Sequence, residues 1–373
     1  MHRLLRLWLR GFRNYDRAEL TFGPGTTALV GPNGAGKSNL LEAIHLVATG
    51  RSYRTGREAE AIRRGESGAR VRAQVTRRGH DEELEVTLSA EGGRDRVQLR
   101  VNGVVTPRGG VLGRLPVVLA APWDLDVVRG SAGGRRRLLN GALAQLSPAY
   151  HFALHRYHRV IAQRNVLLRQ RAAAALEPWD AQMTMLGVRI TARRREYTRR
   201  LGVQAAAWFE RLMGAGTLDV TYRVSWPGSD DEEILHAARG ELARCRADEF
   251  RRGLTLTGPH RDDLDLALNG APLRACGSQG EWRVATLALR LAERAVMAED
   301  LGAPPLLLLD DALAELDAWR QRRLLEVDVE AQVALTTTGL PGEVERGRDT
   351  LRIWTIDEGR IAERPWSHQY EPS

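Results

Sequence analysis

The sequence predicts an α/β head into which an α-helical arm is inserted, and three stretches carry that prediction. A β-prone run, TTALVG, leads through a glycine-rich loop into KSNLLEAIHLVA, where Leu40, Leu41, Ile44 and Val47 recur at helical spacing. Far downstream, Leu306–Leu309 form a fully apolar strand that ends in Asp310 and Asp311. Between these two stretches, the chain from Ser147 to Gly214 reads as helix and is loaded with arginine.

Taken in chain order, the first 120 or so residues read as mostly β with one helix. LRLWLRGFRNY, AELTFGPGTTALVG, RVRAQVTR, EELEVTLSA and RVQLRVNG have strand composition, several with alternation and glycine-containing turns. In the arm, Leu154, Tyr157, Ile161 and Leu168 give one apolar seam, and Met183, Leu186, Ile190 and Tyr197 give a second. Pro178 falls between them and is expected to separate two helices. The result is a helical hairpin with apolar paired faces and arginine-loaded outer faces. WPGSDDEE at 226–233 reads as a polar linker, RRGLTLTG and DLDLALNG as strands, and the stretch after residue 280 as a long helix. The expected division is therefore 1–120 for the N-terminal part of the head, 121–235 for the arm, and 236–373 for the return to the head.

Chemistry enters at ALVGPNGAGKSNLLEAIH. Of the 55 Lys and Arg residues, Lys37 is the only lysine. Arginine is a wide planar fork and lysine a compact point charge on a thin stem, so lysine suits a place where backbone already wraps an anion. Gly31 followed by Gly36, Lys37 and Ser38 matches G-x-x-x-x-G-K-[ST]. Gly31, Gly34 and Gly36 let the loop (Gly31, Pro32, Asn33, Gly34, Ala35, Gly36, on to Lys37, Ser38 and Asn39) turn its N–H groups, which Pro32 lacks, toward phosphate oxygens. The helix that follows adds its positive N-terminal end. Lys37 is expected to reach the β- and γ-phosphates and Ser38 to ligate Mg²⁺. This pattern predicts ATP binding.

The apolar strand at the other end answers the loop. A buried parallel strand delivers carboxylates at its C-terminal edge, beside the phosphate loop, in the Walker B arrangement. Asp310 is expected to hold Mg²⁺, through water, and Asp311 to orient or deprotonate the attacking water. Upstream, CGSQGEWRVATLALRLAERAV opens a long amphipathic helix on a small polar turn, a second anion-binding helix start. Ser278, Gln279, Gly280 and Glu281 resemble the signature motif of ABC-type ATPases, which in that superfamily contacts the γ-phosphate bound by a second subunit. ALAELD after Walker B resembles the D-loop, with Asp317 at the dimer seam. Thr336, Thr337 and Thr338 stand where many relatives carry a switch histidine.

Composition bounds the rest. An apolar content of 43% and a charged content of 27% over 373 residues describe a soluble globular protein large enough for two domains. No run reaches membrane-span length, and Arg6 and Arg10 interrupt the apolar start as they would not in a signal peptide. Cys245 and Cys276 are too few for a disulfide framework or metal site, which fits a reducing cytoplasm. The net charge of +8 suggests a polyanionic partner. It is concentrated: residues 129–200 carry 15 Arg against Glu177, Asp180 and Glu196. Arg193, Arg194 and Arg195 in the arm, and Arg51, Arg54, Arg63 and Arg64 after the loop helix, are the candidate DNA-binding residues. Aromatics are sparse there, so contact with phosphates is expected rather than base stacking.

GFRNYDRAELTFGPGTTALVGPNGAGKSNLLEAIHLVATGRSYRT, RGSAGGRRRLLN, LTGPHRDDLDLALNG and GSQGEWR together resemble the RecF family of bacterial recombinational repair ATPases, from about residue 3 to 360 and in order. Ser38 stands where many members have Thr, and Glu281 where Gln is common. The resemblance implies an SMC-like, ABC-type ATPase head with a short arm; Asp311, one methylene shorter than the Glu common in transporters, predicts that its DNA-stimulated ATP hydrolysis is slow. It also implies ATP-dependent homodimerisation on duplex, gapped or junction DNA, and help in loading RecA together with RecR and RecO. A transporter-type ABC subunit would have no use for the basic arm and would need a membrane partner. An SMC protein would need far more heptad sequence between its Walker motifs, and another SMC-like ABC ATPase of DNA metabolism is the alternative. A scaffold without ATPase activity sits poorly with intact Lys37, Ser38, Asp310 and Asp311.

Overall fold

The computed structural model describes residues 2–91, 94–312, 317–325, 331–340 and 351–364. The chain forms two compact units, 1–124 with 293–373, and 125–292.

In the first unit the strands are β1 (His2–Phe12), β2 (Tyr15–Thr21), β3 (Thr26–Val30), β4 (Gly68–Arg77), β5 (His80–Glu91), β6 (Arg94–Val101), β7 (Val104–Val105) and β8 (Val117–Ala120), with α1 at Lys37–Thr49 and α2 at Arg108–Val111. The second unit contributes α3 (Leu125–Arg129), α4 (Ala132–Leu146), α5 (Pro148–Arg169), α6 (Glu177–Met213), β9 (Leu218–Arg223), α7 (Asp231–Arg252), β10 (Asp263–Leu268), β11 (Ala271–Pro272) and α8 (Leu273–Cys276). Helix α9 (Gln279–Leu301) then carries the chain back to the first unit, which ends with β12 (Leu306–Leu309), α10 (Ala318–Leu325), β13 (Val333–Thr337), β14 (Arg352–Asp357) and β15 (Arg360–Arg364).

Two sheets build the first unit. One has the order β2-β1-β4-β5-β6-β7 and is antiparallel throughout. The other has the order β15-β14-β3-β13-β12-β8; its inner strands run parallel, and β15 returns antiparallel to β14. The patterns differ as their surroundings require. Strand β1 alternates, burying Leu4, Leu7 and Leu9, whereas β8, β12 and β13 are buried at every position. Helix α1 lies in the core shared by the two sheets: Leu40, Leu41, Ile44 and Val47 are fully buried with Leu7, Leu20, Val71 and Leu308.

The second unit packs α4, α5, α6 and α7 with the three-stranded antiparallel sheet β11-β10-β9. Pro178 lies in the first turn of α6, where its missing N–H has no partner to lose. Three sequence expectations give way here. WPGSDDEE is not a linker: Trp226 is fully buried, its Nε1 donates to Thr257 Oγ1 at 2.8 Å, and a Cβ on Gly187 of α6 would meet its ring at 2.3 Å. Asp230 caps α7 by accepting from Glu233 N at 2.9 Å. RRGLTLTG is the end of α7 followed by a loop, because Thr255 and Thr257 turn inward to bond side chains and not a neighbouring strand.

The third concerns the arm's arginines. The buried side of α5 is Tyr150, Tyr157, Val160, Arg164 and Leu168, so Ile161 lies off the seam and an arginine on it. Arg164 is fully buried: Nε donates to Asp180 Oδ1 at 2.7 Å, Nη1 to Thr255 Oγ1 at 2.9 Å, and Nη2 to Glu249 Oε2 at 2.5 Å. Arg194 is also inside, donating to Tyr150 Oη at 3.0 Å, the Pro259 carbonyl at 2.6 Å and Asn140 Oδ1 at 2.8 Å. Each fork satisfies several acceptors at fixed geometry, as a point charge could not.

Arg164→Met is expected to leave buried Glu249 without its partner and to lower stability by about 3–5 kcal/mol, read as a fall in the urea midpoint. Arg193→Met, on the exposed side of α6, is expected to change it by no more than about 0.5 kcal/mol.

Candidate nucleotide site

The glycine loop leaves the C-terminal end of β3 and ends where α1 begins at Lys37. Its glycines are required for different reasons. A Cβ on Gly31 would lie 2.0 Å from the Ile356 carbonyl of β14, and Gly36 adopts φ 112 with Asn14 Nδ2 2.4 Å from where a Cβ would be. Gly34, at φ +83, meets nothing and serves only the backbone turn. Pro32, Asn33 and Gly34 are exposed, whereas Lys37 is buried and its Nζ donates to the carbonyls of Gly31 at 2.7 Å and Pro32 at 2.9 Å. The ammonium is thus held across the loop that it closes.

The parallel sheet brings the other motif to this loop. Asp310 follows β12 and is buried; its Oδ1 accepts from Ser38 Oγ at 2.7 Å. Strand β13 lies between β3 and β12, pairing Leu335 with Ala28 on one side and with Leu309 on the other. That register sets Thr336 beside Asp310, where its Oγ1 donates to Asp310 Oδ1 at 2.9 Å and accepts from Asp311 N at 2.8 Å. Asp311 itself takes φ 49, left-handed backbone that Asp tolerates better than most residues. Burial pushes the Asp310 carboxyl above the usual carboxylate range, and the Asp311 charge adds to this, while hydrogen bonds from Ser38, Thr336 and Tyr53 oppose it.

Several residues that sequence reading did not single out hold the loop. Asn14, at the β1–β2 turn, donates to the Ala35 carbonyl at 2.9 Å and accepts from Asn39 Nδ2 at 2.8 Å. Arg13 grips fully buried Glu42 of α1 through two bonds of 2.8 and 2.6 Å, and Ser52 donates to the same carboxylate at 2.5 Å. Tyr15 Oη donates to the Gly36 carbonyl at 3.1 Å. Tyr53 Oη lies 3.2 Å from both the Ser38 carbonyl and Asp310 Oδ2, and its ring stacks on Trp123 at 5.3 Å. These partners are distant in sequence; only the polar density of GFRNY and GRSYRT hinted at them.

The remaining predicted residues fall as follows. Ser278, Gln279 and Gly280 are exposed at the start of α9 in the second unit. There Ser278 N donates to Glu281 Oε2 at 2.6 Å and Glu281 N to Ser278 Oγ at 3.3 Å, a reciprocal capping box. Asp317 is exposed and caps α10, accepting from Arg320 N at 2.9 Å; residues 313–316 of the expected D-loop lie outside the described residues. Arg51 and Arg64 are exposed, whereas Arg63 is half-buried. Arg54 pairs with Glu42 at 3.5 Å and bonds Asn39. In the arm only Arg193 of its triplet is open: Arg195 donates to the carbonyls of Gly228 and Ser229, and Arg194 is enclosed as described. Placing Arg194 on a DNA-facing surface is therefore corrected. Its acceptors lie inside the unit, and a helix period alone does not show which arginine faces inward.

Fold and site together define the class: a P-loop ATPase head of the ABC type, in the branch shared with SMC proteins. The family model described as RecF/RecN/SMC N terminal domain matches residues 3–338. DNA replication and repair protein RecF of Synechococcus sp. (strain JA-3-3Ab) is 41% identical over 378 residues, spanning 98% of each chain. The RecF of Symbiobacterium thermophilum is 41% identical over 346 residues, 90% of this chain and 92% of its own. Among solved structures, the recombination mediator protein RecF bound to ATP, of the RecFOR pathway, matches with a TM-score of 0.89 at 27% identity over 97% of this chain and 98% of that one. An SMC head domain from Pyrococcus furiosus matches with a TM-score of 0.59 at 18% identity over 98% of this chain and 96% of that one, a likeness of fold alone. The chain belongs to the RecF family of DNA replication and repair proteins.

Lys37→Arg keeps the charge but sets a planar fork between two carbonyls spaced for an ammonium. ATP affinity measured by titration of a fluorescent analogue is expected to fall at least tenfold; wild-type affinity would show that the loop accepts any cation.

Proposed function

We propose that this chain is an ATP-dependent DNA-binding protein of recombinational repair that dimerises when ATP is bound and separates after slow hydrolysis. The observation that carries this reading is the junction of Ser38, Asp310 and Lys37 at the mouth of one parallel sheet. Lys37 would bind the β- and γ-phosphates, and loop N–H groups between Asn33 and Ser38 would cradle them, those of Gly31 and Asn39 being given to the Thr337 and Gly36 carbonyls.

Mg²⁺ suits the donors present. Ser38 Oγ and Asp310 are hard oxygen donors 2.7 Å apart, and among the described residues no cluster of three His, Cys, Asp or Glu side chains offers a complete cage. That matches a cation which keeps several waters and is shared with substrate phosphates. When bound, it would neutralise charge developing on the transferred phosphoryl group. Asp311 would orient the attacking water, its position fixed by the bond from its N–H to Thr336.

Completion of the site by a second copy rests on the signature. Ser278 and Gly280 stand at an exposed helix start, and by their resemblance to the signature they would meet the γ-phosphate of a partner subunit under two-fold symmetry. Gapped, junction or duplex DNA is the proposed substrate surface, with RecR and RecO as partners by family. Among the described residues no helix is long and apolar enough to cross a membrane.

Asp311→Asn is expected to bind ATP normally and to accumulate ATP-bound dimer, with turnover reduced at least tenfold; unchanged turnover would place the base elsewhere. Ser278→Arg is expected to bind ATP as a monomer but not to sediment as a dimer with ATP. A surviving ATP-dependent dimer would overturn the shared site, and loss of monomer binding would place Ser278 in its own chain's pocket.

A further inference from the structure

The antiparallel sheet of the first unit carries on its solvent face a row of three arginines, two of them without an ion pair among the described residues. Register makes this visible. Trp8 of β1 lies opposite Glu19 of β2 and Arg72 of β4; Arg72 lies opposite Glu85 of β5, and Glu85 opposite Arg100 of β6. That row alternates in sign and is paired: Arg100 meets Glu85 at 2.8 Å, Arg72 meets Glu83 at 3.5 Å and sits 4.5 Å over the Trp8 ring. Arg6 and Glu19 approach to 4.0 Å.

One step along the strands the pattern changes. Arg10 of β1 lies opposite Arg17 of β2 on one side and Arg70 of β4 on the other, and the row continues with Thr87 and Gln98. All three arginines are exposed. Arg70 shares Glu85 at 3.8 Å with the tighter Arg100 pair, while Arg10 and Arg17 have no ion pair among the described residues. Like charges directly opposite each other in a sheet are destabilising. Strand β2 is an edge, where a charged residue protects against unwanted pairing, and that accounts for Arg17 alone. It does not account for Arg10 and Arg70, on interior strands where a threonine would serve β-structure better.

We propose that the Arg17–Arg10–Arg70 row is a docking surface for the phosphate backbone of duplex DNA. It rests on the DNA-binding reading above and gives that reading a surface distinct from the arm. Strands about 4.8 Å apart set the three Cα positions over roughly 10 Å, a length of helix axis along which one DNA strand carries about three charges. The polyanion relieves the repulsion that the sheet leaves uncancelled. The one aromatic on this part of the face, Trp8, is covered by Arg72, so the surface offers charge and not base stacking.

The test uses the full chain and a fluorescein-labelled duplex, with affinity read by anisotropy across a salt series. Arg10→Thr/Arg17→Thr/Arg70→Thr is expected to lower the slope of log affinity against log salt by about 2–3. Its melting temperature is expected to equal or exceed that of the wild type, because the repulsion is gone. Arg10→Thr alone is expected to lower the slope by about 0.9 and to raise the melting temperature. Wild-type slopes in both variants would overturn the row while leaving DNA binding by the chain intact. A melting temperature lowered in Arg10→Thr would overturn the claim of uncancelled repulsion. No duplex binding by the wild type at any salt would remove the DNA reading itself. Normal duplex binding with lost binding to polyglutamate would assign the row to an acidic protein and overturn the proposal.

Discussion

The bond between Ser38 and Asp310, 2.7 Å long and spanning 272 residues of sequence, is the contact on which the site depends. It exists because β3 and β12 end at the same edge of one sheet with β13 between them. Parallel strands align their carboxyl ends, so a loop leaving one and an acid leaving another meet without any local signal in either. Moving β13 by one residue would turn Thr336 to the other face and remove both its bond to Asp310 and the one that it accepts from Asp311 N–H. The chemistry at this edge is therefore set by strand order and register, and the motifs supply only its outer parts.

This explains what could be read in the sequence and what could not. The glycine loop, its helix and the apolar strand before Asp310 are local patterns, legible because each is written within about a dozen residues. Asn14, Glu42, Tyr53 and Thr336 act through partners on other elements, so their type announces a polar group without announcing its task. The errors in the second unit have a related cause. WPGSDDEE has the composition of a surface loop, yet its first residue fills the notch left by Gly187, a pairing separated by 39 positions (226 minus 187). RRGLTLTG alternates like a strand, but its threonines bond inward to Arg164 and Trp226 and leave no ladder to join.

Arginine misleads most, because in this chain it fills three kinds of place. Arg164 and Arg194 are interior braces whose planar forks satisfy carboxylates, hydroxyls and carbonyls at once. Arg13 and Arg54 brace the loop helix through buried Glu42. Others stand in solvent. Charge counts treat all of these alike, so the excess in residues 129–200 overstates what the arm shows to a polyanion. Lys37 is the complementary case: a narrow ammonium where two carbonyls converge, in a chain that otherwise uses the wider group for every basic site.

What separates a structural arginine from one available to a ligand is whether the fold has supplied its counter-charge. In the second unit the buried forks of Arg164 and Arg194 are answered by named acceptors, and on the antiparallel sheet one row is answered by Glu83 and Glu85. The neighbouring row is left open although threonine and glutamine complete it on β5 and β6, where acids would have closed it. A sheet that pairs its charges in one register and leaves them apposed in the next has kept a repulsion that its own residue choices could remove. Salt screens part of such a repulsion between exposed groups, and a bound polyanion would remove it. For a chain whose relatives act in DNA replication and repair, a phosphate backbone is the neutralising partner that the chemistry of the row favours.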